Sequence, residues 1–308
     1  MVITENVRER FCEEYSIPLD IYREPYFSER LDLYATCYET EKSWRDFIEG
    51  ISGYNDINDY IEEFNWARDA AIYNIKETSE YKEFYNLFDP KYASLIGQVY
   101  TEENNFKYFI GINFEDAYFY AMHRYSASMF RDSSGIANTW EEYISKFTDN
   151  AHMIKSRYMM HSVLKSCAAP IYLFPIISDI ITKLKEREVI KDEEILLTGN
   201  ELTIDVNKMT NSEMKDVLSA INSIIDDLGL PVKVELFELH KLSGSAGYFK
   251  EVFVEGHREL RLIGVESYLV PFAIRGIKME LPEPEDDFFM LKGKLAKFIE
   301  TPYVSIML

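Results

Sequence analysis

Positive charge is scarce in this chain: 33 Lys and Arg stand against 53 Asp and Glu, a net charge of -20. A bulk surface of that sign repels phosphate backbones and anionic membranes, so nucleic acid and lipid are excluded as partners of the average surface. Cysteine is almost absent. Cys12, Cys37 and Cys167 are an odd number at wide spacing, which excludes a disulfide framework or zinc knuckle and predicts reduced thiols in a cytoplasmic protein. The five histidines (His123, His152, His161, His240, His257) show no HExxH spacing, so a zinc enzyme is not expected. Long apolar runs are missing too. The longest, Cys167 to Ile177, is broken by Pro170 and Pro175 and is too short to span a bilayer. The N-terminus is acidic from Glu5 on and shows no basic-then-apolar leader. No GxGxxG, GxxxxGK[ST] or GxSxG occurs.

What the chain does have is aromatic mass: 20 Phe, 22 Tyr and 3 Trp, 15% of 308 residues. An acidic disordered tail lacks such apolar surface, and a chain of this length and hydrophobicity can bury one large core or two. Residues 1–95 read as helical. Ile57, Tyr60, Ile61, Phe64, Ala67, Ala71 and Ile75 recur at three- and four-residue steps and mark one face of a long helix. Thr40 to Ile51 predicts a shorter helix with Trp44, Phe47 and Ile48 inward. Tyr34, Tyr38, Tyr73, Tyr81 and Tyr85 are expected as core and helix-contact surface, because a base-stacking platform comes with Lys and Arg.

From residue 96 the pattern changes. Leu95–Tyr100 and Lys107–Phe114 predict strands, followed by helices over 115–130, 139–147, 151–166 and 173–188. Glu194–Leu197 and Leu202–Val206 flank Thr198-Gly199-Asn200-Glu201, a hairpin turn. A helix capped by Asn211 runs to Leu228 before Gly229 and Pro231, then strands follow at 232–239, 249–254 and 260–265. Gly244-Ser245-Ala246-Gly247 reads as a hairpin loop. Cys167 reads as buried and not a nucleophile, and the apolar end Tyr303–Leu308 as packed into the core or held by a partner. The order is an α+β layout, with a helical region at 1–95 and an α+β domain at 96–308.

Three segments bear on function. Ile110-Gly111-Ile112-Asn113-Phe114-Glu115-Asp116 is a strand entering a helix, His152 to Lys165 is a basic helix, and Gly199-Asn200-Glu201 is a hairpin tip. In that order they resemble the palm and fingers of family A DNA polymerases. Asp286-Asp287-Phe288-Phe289 through Phe298, and Tyr143 to Asp149, resemble proteins of large DNA viruses and phages. The polymerase resemblance implies a palm-like antiparallel sheet with packed helices and a site for two metal ions near the hairpin tip. It places Asn113 and Asn200 where that family carries metal-binding Asp, and a neutral amide supplies no charge to a hard cation. The implied scaffold is therefore inactive. The alternative is a nucleotidyltransferase with a Mg2+ site of Asn113, Asn200 and Glu201, using Glu201 with Glu115 or Asp116. Without the resemblance, Asn113 caps the next helix and Asn200 makes the turn.

Between Asp149 and Asp179 lie 29 residues without an acid, containing His152, Lys155, Arg157, His161 and Lys165. On one continuous helix these would form an anion- or partner-binding stripe, or an internal neutraliser of the acidic N-terminal region. Glu62, Glu63 and Asp69 fall off the apolar face of their helix and form a candidate acidic partner surface. The expectation is a non-enzymatic, acidic accessory protein of phage or virus type on a degenerate polymerase-like scaffold, acting as a nucleic-acid mimic in a basic groove or as a subunit of a homo-oligomer or larger assembly.

Overall fold

The computed structural model describes residues 2–83, 96–132, 135–190, 195–254 and 256–307. The α+β layout holds: helices dominate residues 5–82, and antiparallel strands mixed with helices follow. The chain folds as two compact units, Met1–Ile57 with Tyr100–Lys107 and Phe237–Leu308, and Asn58–Val99 with Tyr108–Leu236. This division departs from the expected boundary at residue 95. The helices up to residue 57 belong with the C-terminal strands, and the long helix Ile57–Glu77 belongs with the segments around residues 140–160.

In the first unit the link is a buried cation. Arg30, on the helix Tyr26–Tyr34, is only 3% exposed and pairs with Asp20 at 3.0 Å. Its guanidinium also donates to the backbone carbonyls of Glu285, Asp286 and Phe288. The other Asp20 oxygen accepts from the Met290 amide at 3.0 Å, at the hairpin of Phe288–Leu291 and Lys294–Lys297. Arg275 adds a second fork, to Asp286 at 3.1 Å and Glu283 at 3.2 Å. Strands Lys233–Ser243, Tyr248–Val254 and His257–Ile263 are neighbours in that order, joined first by the expected Gly244–Gly247 loop. The apolar C-terminus packs inward only in part: Val304 is buried with Leu242, Phe249, Leu269, Phe272 and Ala273, and Ser305 and Ile306 pair with Ser243 and Leu242, whereas Tyr303 is 77% exposed. Gly276 is required beneath it, because a Cβ there would overlap the Val304 carbonyl.

In the second unit the helix Ile57–Glu77 buries Tyr60, Phe64, Ala67, Ala71 and Ile75 as its spacing predicts. Tyr143 donates to the Ala71 carbonyl at 2.8 Å, and Phe64 meets Tyr158 with ring centres 5.6 Å apart. Strand Lys107–Asn113 pairs antiparallel with Glu201–Asp205, which pairs with Ile195–Thr198. The tip turns at Gly199, φ +61°.

Several local expectations need correction. Residues 96–100 contribute only an isolated parallel bridge, Ile96 to Leu197, rather than a strand. The segment 151–166 is two helices, because Ser156 takes an extended ψ of 118° and its side chain caps the second at the Met159 amide. Thr210 rather than Asn211 caps the helix to Leu228, through a reciprocal capping box with Glu213 that satisfies two orphan donors at once. Tyr34 is buried, whereas Tyr73 is 68% exposed; its position on the helix is opposite the buried face. Tyr85 lies outside the described residues.

Arg30→Met is expected to destabilise the first unit by about 3 kcal/mol, since it leaves the partly buried Asp20 charge uncompensated and three backbone carbonyls without their donor. Arg30→Lys should recover only a minor part, because an ammonium cannot reproduce the planar fork. Urea denaturation of the variants checks both; equal stability of Arg30→Met and wild type would refute this role.

Candidate functional site

The strand register sets Asn113 directly across from Glu201, as the hairpin expectation required. The turn after the strand is closed locally. The Asn113 side chain accepts from the Glu115 amide at 2.9 Å, and the Asn200 carbonyl accepts from the Phe114 amide at 3.0 Å. Both asparagines thus do conformational work: Asn113 through an Asx-type turn, Asn200 through its backbone.

The helix Arg157–Ser166 presents Arg157, His161 and Lys165 at four-residue steps, on one face. That face lies against the turn. Arg157 forks onto Asp116 Oδ1 at 2.8 and 2.7 Å, and Lys165 reaches Glu115 Oε1 at 2.9 Å. His161 Nε2 sits 3.9 Å from Asp116, and its ring meets the edge of Tyr118 with centres 5.7 Å apart. The basic helix is therefore an internal neutraliser, but of Glu115 and Asp116 rather than of the N-terminal region. His152 and Lys155 belong to the preceding short helix and do not join the stripe; His152 packs beside Tyr60 with ring centres 6.2 Å apart.

The electrostatics follow from this pairing. Burial alone would raise the Glu115 pKa, but the Lys165 hydrogen bond and charge, with His161 and Arg157, outweigh it and hold the carboxyl below its ordinary value. Burial pushes His161 down; Lys165 and Arg157 add to that, while Glu115 and Asp116 oppose it, and the net direction is down. Two of the carboxylates assigned to the alternative metal-dependent site thus already carry cationic partners. Among the described residues, the acidic and histidine side chains whose ligand atoms gather within 4.8 Å of one another are Glu238, His240 and Glu251, not Glu115, Asp116 and Glu201.

The acidic surface is divided too. Glu63 turns toward the protein and accepts from Thr148 at 2.7 Å, so it is not part of a free acidic face. Glu62 and Asp69 are exposed. Helical spacing places them in one stripe with Trp66, Tyr73 and Glu77, opposite the buried face. Trp66 is 62% exposed. The ion pairs of this stripe, Asp69 with Arg68 and Glu77 with Lys82, each at 2.8 Å, are exposed and worth little.

Sequence reasoning missed Glu238, His240 and Glu251. The expected strand ended at Leu239, whereas the strand runs on to Ser243, and strand alternation then puts Glu238 and His240 on one face. Burial lowers the His240 pKa; Glu238 and Glu251 oppose this without cancelling it. The thiols carry no activated nucleophile: burial pushes Cys12, Cys37 and Cys167 each up to about 12. No single helix among the described residues is long and apolar enough to cross a membrane.

Replacing Lys165 by Met should raise the Glu115 pKa, because burial then acts without its main opponent. A depressed carboxylate pKa contributes stability at neutral pH that is lost as pH falls through the folded value. The variant should therefore lose about 0.5 kcal/mol at pH 7 and begin acid unfolding at higher pH. Carboxyl-resolved NMR titration reads the first effect; an unmoved Glu115 titration would contradict the pairing. No protein-family model matches the chain, and no curated protein matches it either.

Proposed function

We propose that this is a binding protein, not an enzyme, that docks a cationic surface of another protein on the outer stripe of the helix Ile57–Glu77. The observation that carries this reading is the exposure of Trp66 and Tyr73, 62% and 68%, two turns apart and interleaved with Glu62, Asp69 and Glu77. Large exposed aromatics are enriched at interaction sites. A Trp or Tyr face flanked by carboxylates matches Arg and Lys, which gain cation–π contact and charge pairing together. The net charge of -20 steers cationic partners toward the protein and anionic ones away.

The palm-like scaffold belongs to the same proposal. The Asn113–Glu201 register supports it, and the engagement of Glu115 and Asp116 by Lys165 and Arg157 supports a scaffold without nucleotidyl transfer. Free thiols at Cys12, Cys37 and Cys167 support a cytoplasmic setting.

Titration with an oligo-arginine peptide, followed by fluorescence anisotropy of the labelled peptide, tests the docking face. Joint substitution Trp66→Ala and Tyr73→Ala should weaken binding about tenfold, corresponding to about 1.4 kcal/mol. Charge reversal at Glu62 and Asp69 should slow association, and affinity should fall as salt rises. Reversal at the exposed Glu103 and Glu300 serves as the control and should do little. Binding that is indifferent to salt and to Trp66 would sink the proposal and favour an apolar assembly contact elsewhere.

A further inference from the structure

We infer that Glu238, His240 and Glu251 form a binding site for a divalent transition-metal ion of the zinc class. Glu238 and His240 alternate on the strand Lys233–Ser243, and Glu251 comes from the neighbouring strand Tyr248–Val254. One ligand atom from each lies within 4.8 Å of the other two. His240 Nε2 stands 3.7 Å from Glu251 Oε2 and 3.9 Å from Glu238 Oε2. These separations are too long for hydrogen bonds. They are a few tenths of an ångström wider than the edge of a tetrahedron built on metal–ligand bonds of about 2.0–2.2 Å, and the third separation, between the two carboxylates, lies within 4.8 Å, so the flexible Glu side chains must close on the ion to complete the geometry.

The His240 side chain is the independent observation. It is 9% exposed, and neither ring nitrogen has a hydrogen-bond partner. A buried imidazole left unpartnered costs free energy, and a metal at Nε2 would remove half of that cost. The ring is held for the purpose: Phe249 stacks on it at 4.4 Å with planes 11° apart, and Phe106 meets it edge-on at 5.3 Å. Glu251 is oriented by Arg258, which pairs with its Oε1 and leaves Oε2 toward His240.

The donor set selects the ion. Imidazole with two carboxylates suits Zn2+ and neighbouring transition ions, whereas Mg2+ and Ca2+ prefer all-oxygen shells. Three protein donors leave a coordination position open for water or a partner's side chain. His240 Nδ1 has no acceptor to fix it, and such outer contacts are worth about 10–100-fold in affinity. The expected site is accordingly micromolar rather than tighter.

Calorimetry of the metal-free full chain with ZnCl2, and separately with MgCl2, tests this. One Zn2+ should bind per chain and no Mg2+. His240→Phe, which can occupy the same slot between Phe106 and Phe249, should abolish the Zn2+ isotherm. Glu238→Gln, at a less buried position, should weaken it at least about tenfold and serves if His240→Phe does not fold. His257→Asn, on the exposed side of the strand His257–Ile263, should leave it unchanged. Co2+ substitution should give visible d–d bands without thiolate charge-transfer absorption, which separates this site from binding at cysteines. No Zn2+ binding by the wild type, or binding that survives Glu238→Gln and His240→Phe unchanged, would overturn the assignment.

Discussion

The burial of Arg30 is the constraint on which the first unit depends. A guanidinium removed from water is tolerated only when most of its donors are answered, and here the two terminal nitrogens are answered by nearby Asp20 and by the distant carbonyls of residues 285, 286 and 288, while Nε has no hydrogen-bond partner. The helix Tyr26–Tyr34 therefore cannot be buried properly until the C-terminal hairpin is in place. The same logic recurs at Asp286, which is buried and answers Arg275 and the Glu283 amide together. In a chain short of cations, committing two arginines to this junction removes them from the surface and leaves the exterior more anionic.

The second unit also commits cations to its own carboxylates, here in pairs that stay exposed. Arg157 and Lys165 look from the sequence like a patch for an external anion, yet each carries a carboxylate from the turn at 115–116. That pairing aligns the turn, the helix Arg157–Ser166 and the Tyr118 ring, over which Lys165 sits at 5.8 Å. The outward consequence is an acidic exterior: Glu62 and Asp69 are exposed, Asp69 in a surface pair with Arg68, and among them stand Trp66 and Tyr73. Glu238, His240 and Glu251 are different in kind: two carboxylates are held close to a buried imidazole, with Arg258 on the outer oxygen of Glu251.

Much of this was legible in the sequence. Three- and four-residue spacing from Ile57 to Ile75 determined a helix and its buried face, and the Thr198–Glu201 turn determined a hairpin. The charge balance determined the sign of the surface, and Cys167 among apolar neighbours determined an inert thiol, because these properties are local or additive along the chain. Tertiary structure alone decided which acid answers which base. Nothing in residues 157 and 165 names residues 115 and 116, since ion pairing depends on where folding brings charges and not on sequence separation. It also decided the inward turn of Glu63, the extension of the strand past Leu239 to include His240, and the meeting of that histidine with Glu251, for strand partners are chosen by packing across the whole unit. The C-terminus shows both halves of the division: its apolar composition predicted burial or capture, and only the neighbouring edge of Leu242 and Ser243, with Gly276 lacking a side chain beneath Val304, determined that Val304 is buried in its own fold while Tyr303 and Met307 stay exposed.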